Sequence, residues 1–110
     1  MTDSRPDLQQ GTLDILILKT LVREPLHGWG LSKRIRESSR DVLQVHQGSL
    51  YPALYRLEDQ GWVTARWGIS PEGRRAKFYT LTRAGRKQLV RQTAAWRVFS
   101  GAVNHVLQAT

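Results

Sequence analysis

Residues 48–58 read Gly-Ser-Leu-Tyr-Pro-Ala-Leu-Tyr-Arg-Leu-Glu and predict an amphipathic helix. Apolar residues recur there at intervals of three and four, which is typical of a helix with one buried face. They are Leu50, Ala53, Leu54 and Leu57. Ser49 is a suitable N-cap, Pro52 then falls in the first turn, where its missing N–H costs nothing, and Gly61 ends the helix.

Two further helices are predicted before this one. The first covers residues 12–24, since Thr12 can cap it and Pro25 stops it. The second begins at His27 or Gly28 and ends near Ser39, with apolar residues that we expect to face inward. These are Trp29, Leu31 and Ile35.

Two strands and a long helix follow the third helix. Residues 62–67 and 76–81 alternate in the way of half-buried strands, and residues 68–75 contain Gly, Pro and two arginines. We therefore expect a hairpin with a long, flexible, basic tip. Thr82 is placed to cap a last helix that reaches about residue 108.

This order of elements predicts a mainly α fold with a small β-hairpin, namely a winged helix-turn-helix followed by a long C-terminal dimerisation helix. We assign residues 1–11 to a flexible N-terminal arm and residues 12–82 to the DNA-binding domain. Residues 83–110 are assigned to the dimerisation helix.

The charge distribution favours a polyanionic partner. The 110 residues include 17 Lys and Arg against 9 Asp and Glu, a net charge of +8. Residues 73–110 hold no acidic side chain, and residues 1–72 sum to zero, so the whole excess lies in the last third. A localised excess of this kind suits nucleic acid. A merely soluble basic protein, or one that binds an acidic membrane surface, remains the alternative.

Several classes of function are excluded by the sequence. There is no cysteine, and the three histidines are scattered, so we expect no metal, no cofactor and no catalytic site. No apolar run is long enough for a membrane span and no signal segment opens the chain, so we expect a cytoplasmic protein with no membrane partner. A protein-interaction module is the competing interpretation, but it leaves the arginines of the hairpin without a role.

In a winged helix, the third helix lies in the major groove and the hairpin reaches the flanking backbone or minor groove. Tyr and Ser hydroxyls bond phosphate oxygens, and Arg can fork onto guanine. The candidate DNA-binding residues are Ser49, Tyr51, Pro52, Tyr55 and Arg56 in the third helix, Arg74, Arg75 and Lys77 in the hairpin, and Lys33 and Arg34 in the second helix. The competing interpretation treats the tyrosines as packing residues and the charges as solvated.

Four segments resemble motifs of the PadR family of bacterial transcription regulators. They are residues 26–31 (LHGWGL), 48–58, 61–63 (GWV) and 74–82 (RRAKFYTLT). The resemblance implies a dimeric winged-helix repressor of its own or neighbouring genes that binds double-stranded DNA at an inverted-repeat operator. It carries family DNA contacts onto Ser49, Tyr51, Pro52, Arg74, Arg75 and Lys77.

The chain departs from the family pattern at Trp29 and Phe78, where Tyr is usual, so two hydroxyls are missing. Its single C-terminal helix resembles the compact branch of the family, in which this helix makes the dimer.

A seam of apolar residues along the last helix predicts contact with a second copy of the chain. We place in this interface Leu89, Trp96, Phe99, Val103 and Val106. The first helix is apolar almost all round, so its second face, with Ile15 and Leu18, is expected to receive the partner.

Trp96 is also a candidate effector site. In compact, multidrug-responsive members of the family, a central Trp pair stacks on a flat aromatic drug, and Trp96 is similarly placed. One interpretation is that Trp96 binds a planar aromatic effector, and the other is that it only packs in the dimer core. Any acidic group facing such a ligand has to come from Asp7 or Asp14, since residues 73–110 have none.

Overall fold

A computed structural model describes residues 10–110 of the chain and contains four helices and one small sheet. The elements run in the order α1 (Gln10–Thr20), β1 (Leu26–His27), α2 (Gly28–Ser38), α3 (Gln47–Asp59), β2 (Val63–Ile69), β3 (Arg75–Leu81) and α4 (Arg83–Gln108). The predicted winged helix-turn-helix, mainly helical with a hairpin and a long C-terminal helix, is confirmed.

The sheet has one strand more than the sequence predicts. Strand β3 lies in the middle, with β2 antiparallel on one side and β1 antiparallel on the other. Strand β1 pairs Leu26 with Tyr79 and His27 with Phe78. Two residues are too few to produce an alternating pattern, so only the tertiary pairing reveals this strand.

The core is built by α1, α2, α3 and the inner ends of β2 and β3. Helix α1 contacts α2 and α3 and also α4 of the same chain. Leu18 is completely buried in this core. The prediction that Leu18 receives a partner chain is therefore wrong, because its own fold already covers it. Ile15 is half-buried, and its place in a dimer stays a prediction.

The bounds of α1 differ from the predicted 12–24. Gln10 and Gly11 are already helical, so they do not belong to the predicted arm, whose other residues lie outside the described ones. The helix ends at Thr20 and a turn follows. The residue before a proline avoids helical backbone, which prevents the helix from reaching Glu24.

Helix α3 starts two residues earlier than its predicted cap. His46 occupies the N-cap position without a side-chain cap bond, so Ser49 is not the cap. Pro52 consequently lies inside the helix rather than in its first turn, and its missing N–H removes one backbone bond there. The buried face of Leu50, Ala53, Leu54 and Leu57 is confirmed.

The hairpin tip is shorter than predicted, and hydrogen bonds close it. Its strands extend to Ile69 and from Arg75, so only residues 70–74 form the turn. The buried Ser70 closes this turn: its N–H donates to the Arg74 carbonyl at 2.7 Å, and its Oγ accepts from the Arg74 N–H at 3.2 Å. Arg75 is therefore a strand residue, and the tip is a tight turn.

Helix α4 is joined to the base of the hairpin. The Thr82 hydroxyl accepts from the Gly85 N–H at 3.0 Å, as a cap should, and donates to the Gly61 carbonyl at 2.7 Å. The Thr82 N–H donates to the Trp62 carbonyl at 3.1 Å. The predicted cap is confirmed, and it also fixes α4 to the loop between α3 and β2.

Candidate nucleic-acid interface

The outward face of α3 carries most of the residues that the sequence assigned to it. Ser49 and Pro52 are exposed, and Tyr55 is 55% exposed. Tyr51 is half-buried, since its ring packs against the start of α2. A methyl group at Gly28 would lie 2.5 Å from the Tyr51 hydroxyl oxygen, so the Tyr51 ring in its present position leaves no room for a side chain at residue 28.

A cleft of about 720 Å³ separates α3 and the start of α2 from the inner face of the hairpin. Aromatic side chains and cations make up most of its walls. Its lining includes His27, Trp29, Tyr51, Tyr55, Trp67, Arg74, Arg75, Lys77 and Tyr79. The structure thus brings the predicted tyrosines and hairpin cations together at one surface.

The cations of the hairpin are held in different ways. The Arg75 guanidinium lies 4.7 Å from the centre of the Trp67 ring. The Lys77 ammonium lies 3.8 Å from a Glu58 carboxylate oxygen and 5.8 Å from the Tyr55 ring centre, so it bridges β3 and α3. Arg74 is exposed at the turn.

Arg56 does not belong to this surface. Its Nη2 donates to Oδ1 of Asp14 in α1 at 2.5 Å, in a partly buried ion pair. Burial raises the pKa of Asp14 above its ordinary value, although the charge and hydrogen bond of Arg56 act to lower it. The DNA-binding prediction for Arg56 is corrected, because this guanidinium compensates a buried carboxylate.

The two cations of α2 lie in different places. Lys33 is exposed, and its ammonium lies 5.2 Å from the ring centre of Trp29 at the rim of the cleft. Arg34 bonds to Glu24 at 2.8 Å and lines a separate cavity against the end of α1. Arg34 thus lies outside the cleft with its charge paired to Glu24, and its contact with flanking phosphates stays a prediction.

Tyr79 forms the buried inner end of the cleft. Burial, followed by the nearby Tyr55 and Glu58, raises the pKa of Tyr79 to about 12. An ordinary tyrosine hydroxyl is already protonated at neutral pH, and the raised pKa keeps the Tyr79 hydroxyl neutral to still higher pH.

Sequence reasoning missed two aromatic members of the cleft. Trp29 was predicted to face inward, but it is 54% exposed beside His27, whose Nδ1 accepts from the Gly30 N–H and caps α2. Trp67 shares its strand face with the buried Val63 but lies beyond the end of the core. The alternation along β2 predicts which face of the sheet carries Trp67. That Trp67 is exposed on this face depends on the extent of the core, which the alternation does not reveal.

Helix α4 presents apolar side chains to solvent over its C-terminal half. The exposed predicted interface residues are Trp96, Phe99, Val103 and Val106. Trp96 is 43% exposed, and its ring centre lies 6.1 Å from that of Phe99. Leu89, nearer the start of the helix, packs partly against the core of its own chain, and its role in a dimer stays a prediction.

Asp14 was a candidate acid for an effector beside Trp96. Its carboxylate is buried and already bonded to Arg56, so this expectation is wrong. Asp7 lies outside the described residues. Over residues 10–110, no group of His, Cys, Asp or Glu could hold a metal ion. None of the helices in this part of the chain contains an apolar stretch that could span a bilayer.

Comparisons with known proteins agree with this geometry. Residues 17–91 match the model of the transcriptional regulator PadR-like family. Transcriptional regulator Rv3488 of Mycobacterium tuberculosis is 32% identical over 89 residues, which cover 81% of this chain and 79% of that protein. The negative transcriptional regulator PadR of Bacillus subtilis is 30% identical over 70% of this chain but only 42% of its own length. The crystal structure of a PadR-like transcriptional regulator from Bacillus cereus is 29% identical, with a TM-score of 0.75, and covers 92% of this chain and 96% of that one.

Proposed function

Because the chain belongs to the PadR-like family of transcriptional regulators, which are not enzymes, we propose that it is a homodimeric repressor acting on cytoplasmic DNA. Its target is an inverted-repeat operator near its own or a neighbouring gene. The observation that carries this proposal is the convergence of Tyr55, Arg74 and Arg75 on one cleft beside the exposed face of α3.

Each half of the operator is read by two elements. Helix α3 enters the major groove with Ser49, Pro52 and Tyr55, where the Ser49 hydroxyl bonds a phosphate, Pro52 can touch a thymine methyl and Tyr55 meets a base edge. The hairpin brings Arg74, Arg75 and Lys77 to the neighbouring backbone. Residues 12–82 thus act as the DNA-binding domain, with Lys33 as a further phosphate contact.

A second copy of the chain covers the exposed apolar side of α4. A helix of 26 residues is roughly 39 Å long, and its outer half has little of its own chain to pack against. Exposed apolar surface of this extent marks an interaction site. Pairing of residues 83–110 gives a two-fold dimer, whose two α3 helices can meet successive major grooves of a palindromic site.

Trp96 forms the centre of this interface. An aromatic face at the two-fold axis lies opposite its own copy, and two such faces can hold a planar molecule between them. A planar aromatic effector is therefore the regulatory ligand that this seam suits. Since Asp14 is engaged by Arg56, it offers no counter-charge to a cationic ligand.

Removal of both exposed hairpin arginines tests the proposed DNA contact. We expect Arg74→Ala with Arg75→Ala to lower affinity about 100-fold, because each phosphate contact from a charged donor contributes about 1.4 kcal/mol. The negative slope of log affinity against log salt concentration should become shallower by about 2. Footprinting first locates the bound site in the DNA upstream of the gene. Fluorescence anisotropy with this site then measures the affinity and its salt dependence.

The matched control for this double variant is Lys19→Ala with Arg23→Ala. These are two exposed cations of the α1 end, which line another cavity, so the loss of net charge is the same. We expect this control to change affinity about threefold or less. Equal losses in the two variants, or wild-type binding to random DNA as tight as to the upstream site, would contradict the proposal.

Tyr55 should contribute more to sequence preference than to affinity in general. Because it projects from α3 and is not in the core, Tyr55→Ala should leave the fold intact. We expect affinity for the operator to fall about 10-fold and affinity for random DNA about twofold or less. An equal loss of affinity for both DNAs would mean that Tyr55 contacts the DNA backbone and not the base edges.

A further inference from the structure

We propose that Trp67 is a positioning residue for DNA binding, because its ring holds the Arg75 guanidinium in the orientation that meets a phosphate. This inference rests on the proposed function. It gives a role to the largest exposed side chain of the hairpin, which neither the core nor the turn requires.

Strand β2 explains why Trp67 is available for this role. Successive odd-numbered residues of β2 share one face of the sheet. On that face Val63 is buried, Ala65 is half-buried, and Trp67 and Ile69 are 58% and 69% exposed. The face therefore passes from the core into the open cleft, and the indole adds little to folding.

The register of the hairpin brings Arg75 to this ring. Arg75 pairs with Ile69, and Lys77 pairs with Trp67, so Arg75 and Trp67 are diagonal neighbours on the same face. Diagonal neighbours in antiparallel strands are within reach of long and aromatic side chains. The guanidinium carbon lies 4.7 Å from the ring centre, within the range of cation–π attraction.

Contact with the ring leaves the donors of Arg75 free. Across residues 10–110, no carboxylate pairs with Arg75, in contrast to Arg34, Arg36 and Arg56. The N–H groups of a guanidinium lie in its plane, so a ring over its face does not consume them. Since a free arginine loses about 2 kcal/mol of rotamer entropy when fixed, holding it beforehand strengthens the later contact.

The same arrangement recurs around the cleft. The Lys33 ammonium lies 5.2 Å from the Trp29 ring centre, and Lys77 lies 5.8 Å from that of Tyr55. Three exposed rings thus each have a cation beside them. Trp67 with Arg75 is the closest of these pairs, and its cation is free of a carboxylate, which makes it the pair to test.

A double-mutant cycle tests whether Trp67 acts through Arg75. The full-length variants are Trp67→Leu, Arg75→Ala and both together, with affinity for the operator measured at a fixed salt concentration. We expect Trp67→Leu alone to weaken binding about 5- to 10-fold, as a cation–π contact of 1 kcal/mol or slightly more implies. In the Arg75→Ala background, the same substitution should change affinity less than about twofold.

Two further variants separate positioning from general structure. Trp67→Phe keeps an aromatic face and should recover affinity to within about threefold of wild type. Ile69→Ala removes an exposed apolar neighbour on the same face and should leave affinity unchanged. Thermal unfolding of every variant verifies that the hairpin is still folded.

Several results would overturn the inference. Additive losses in the cycle would mean that Trp67 touches DNA itself, and a loss in Trp67→Phe as large as in Trp67→Leu would exclude a role for the ring face. An unchanged affinity in Trp67→Leu would also reject it. Failure of the proposed function is distinct, because the wild-type protein would then show no preference for the operator.

Discussion

Gly85→Ala is expected to lower the free energy of unfolding by about 3 kcal/mol, although alanine is the better helix former. A Cβ atom at this buried position in α4 would lie 2.1 Å from the Trp62 carbonyl oxygen and 2.7 Å from a Leu81 methyl carbon. The carbonyl belongs to the backbone and accepts from Thr82, so it cannot move without breaking the junction between the hairpin and α4.

Gly101→Ala is the matched control, because it makes the same chemical change in the same helix. No atom lies within 4 Å of a Cβ built at Gly101, so only the gain in helix propensity of up to about 1 kcal/mol remains. Urea unfolding followed by circular dichroism measures both variants. Equal stability of the two variants would mean that α4 does not approach Trp62 as closely as described.

Arg56→Met should cost about 3 kcal/mol at pH 7, because it leaves the buried Asp14 carboxylate without its cation. Part of the guanidinium is in solvent, which puts the cost at the lower end for a broken buried ion pair. The double variant Asp14→Asn with Arg56→Met should recover most of the loss, since it buries no unpaired charge.

The pH dependence of this loss follows from Asp14. Burial raises the pKa of Asp14 above its unfolded value of 3.8, so the folded state gains stability from this group at low pH and loses it as pH rises through the raised pKa. Without Arg56 the pKa rises further. The difference in stability between wild type and Arg56→Met should therefore shrink from pH 7 to pH 4. A difference independent of pH would mean that Asp14 is not the cause.

Elements with local signals could be predicted from the sequence. The buried face of α3 follows from the spacing of Leu50, Ala53 and Leu54, and the start of α4 follows from Thr82, because periodicity and capping involve only near neighbours. Strand β1 could not be found, since two residues carry no period and its partner Tyr79 lies far along the chain.

The errors at the site have the same origin. Arg56 stands on the helix that was assigned to DNA, but its partner Asp14 is 42 positions away, so no local pattern reveals the ion pair. Leu18 belongs to a helix apolar on two faces, and only the packing of α4 against α1 decides which face the chain itself covers. The exposure of Trp67 also depends on long-range packing, because it is set by how far the core extends along β2.

The junction at Thr82 has a mechanical consequence. Thr82 is hydrogen-bonded to Gly61 and Trp62, and Gly85 is hydrogen-bonded to Thr82. These bonds join α4 tightly to the domain that carries α3. A tilt of α4 should therefore move the domain that carries α3 as one rigid body. In the proposed dimer, a change of a few degrees in the angle between the two α4 helices would alter the distance between the two α3 helices. This distance decides whether both α3 helices fit one face of a duplex.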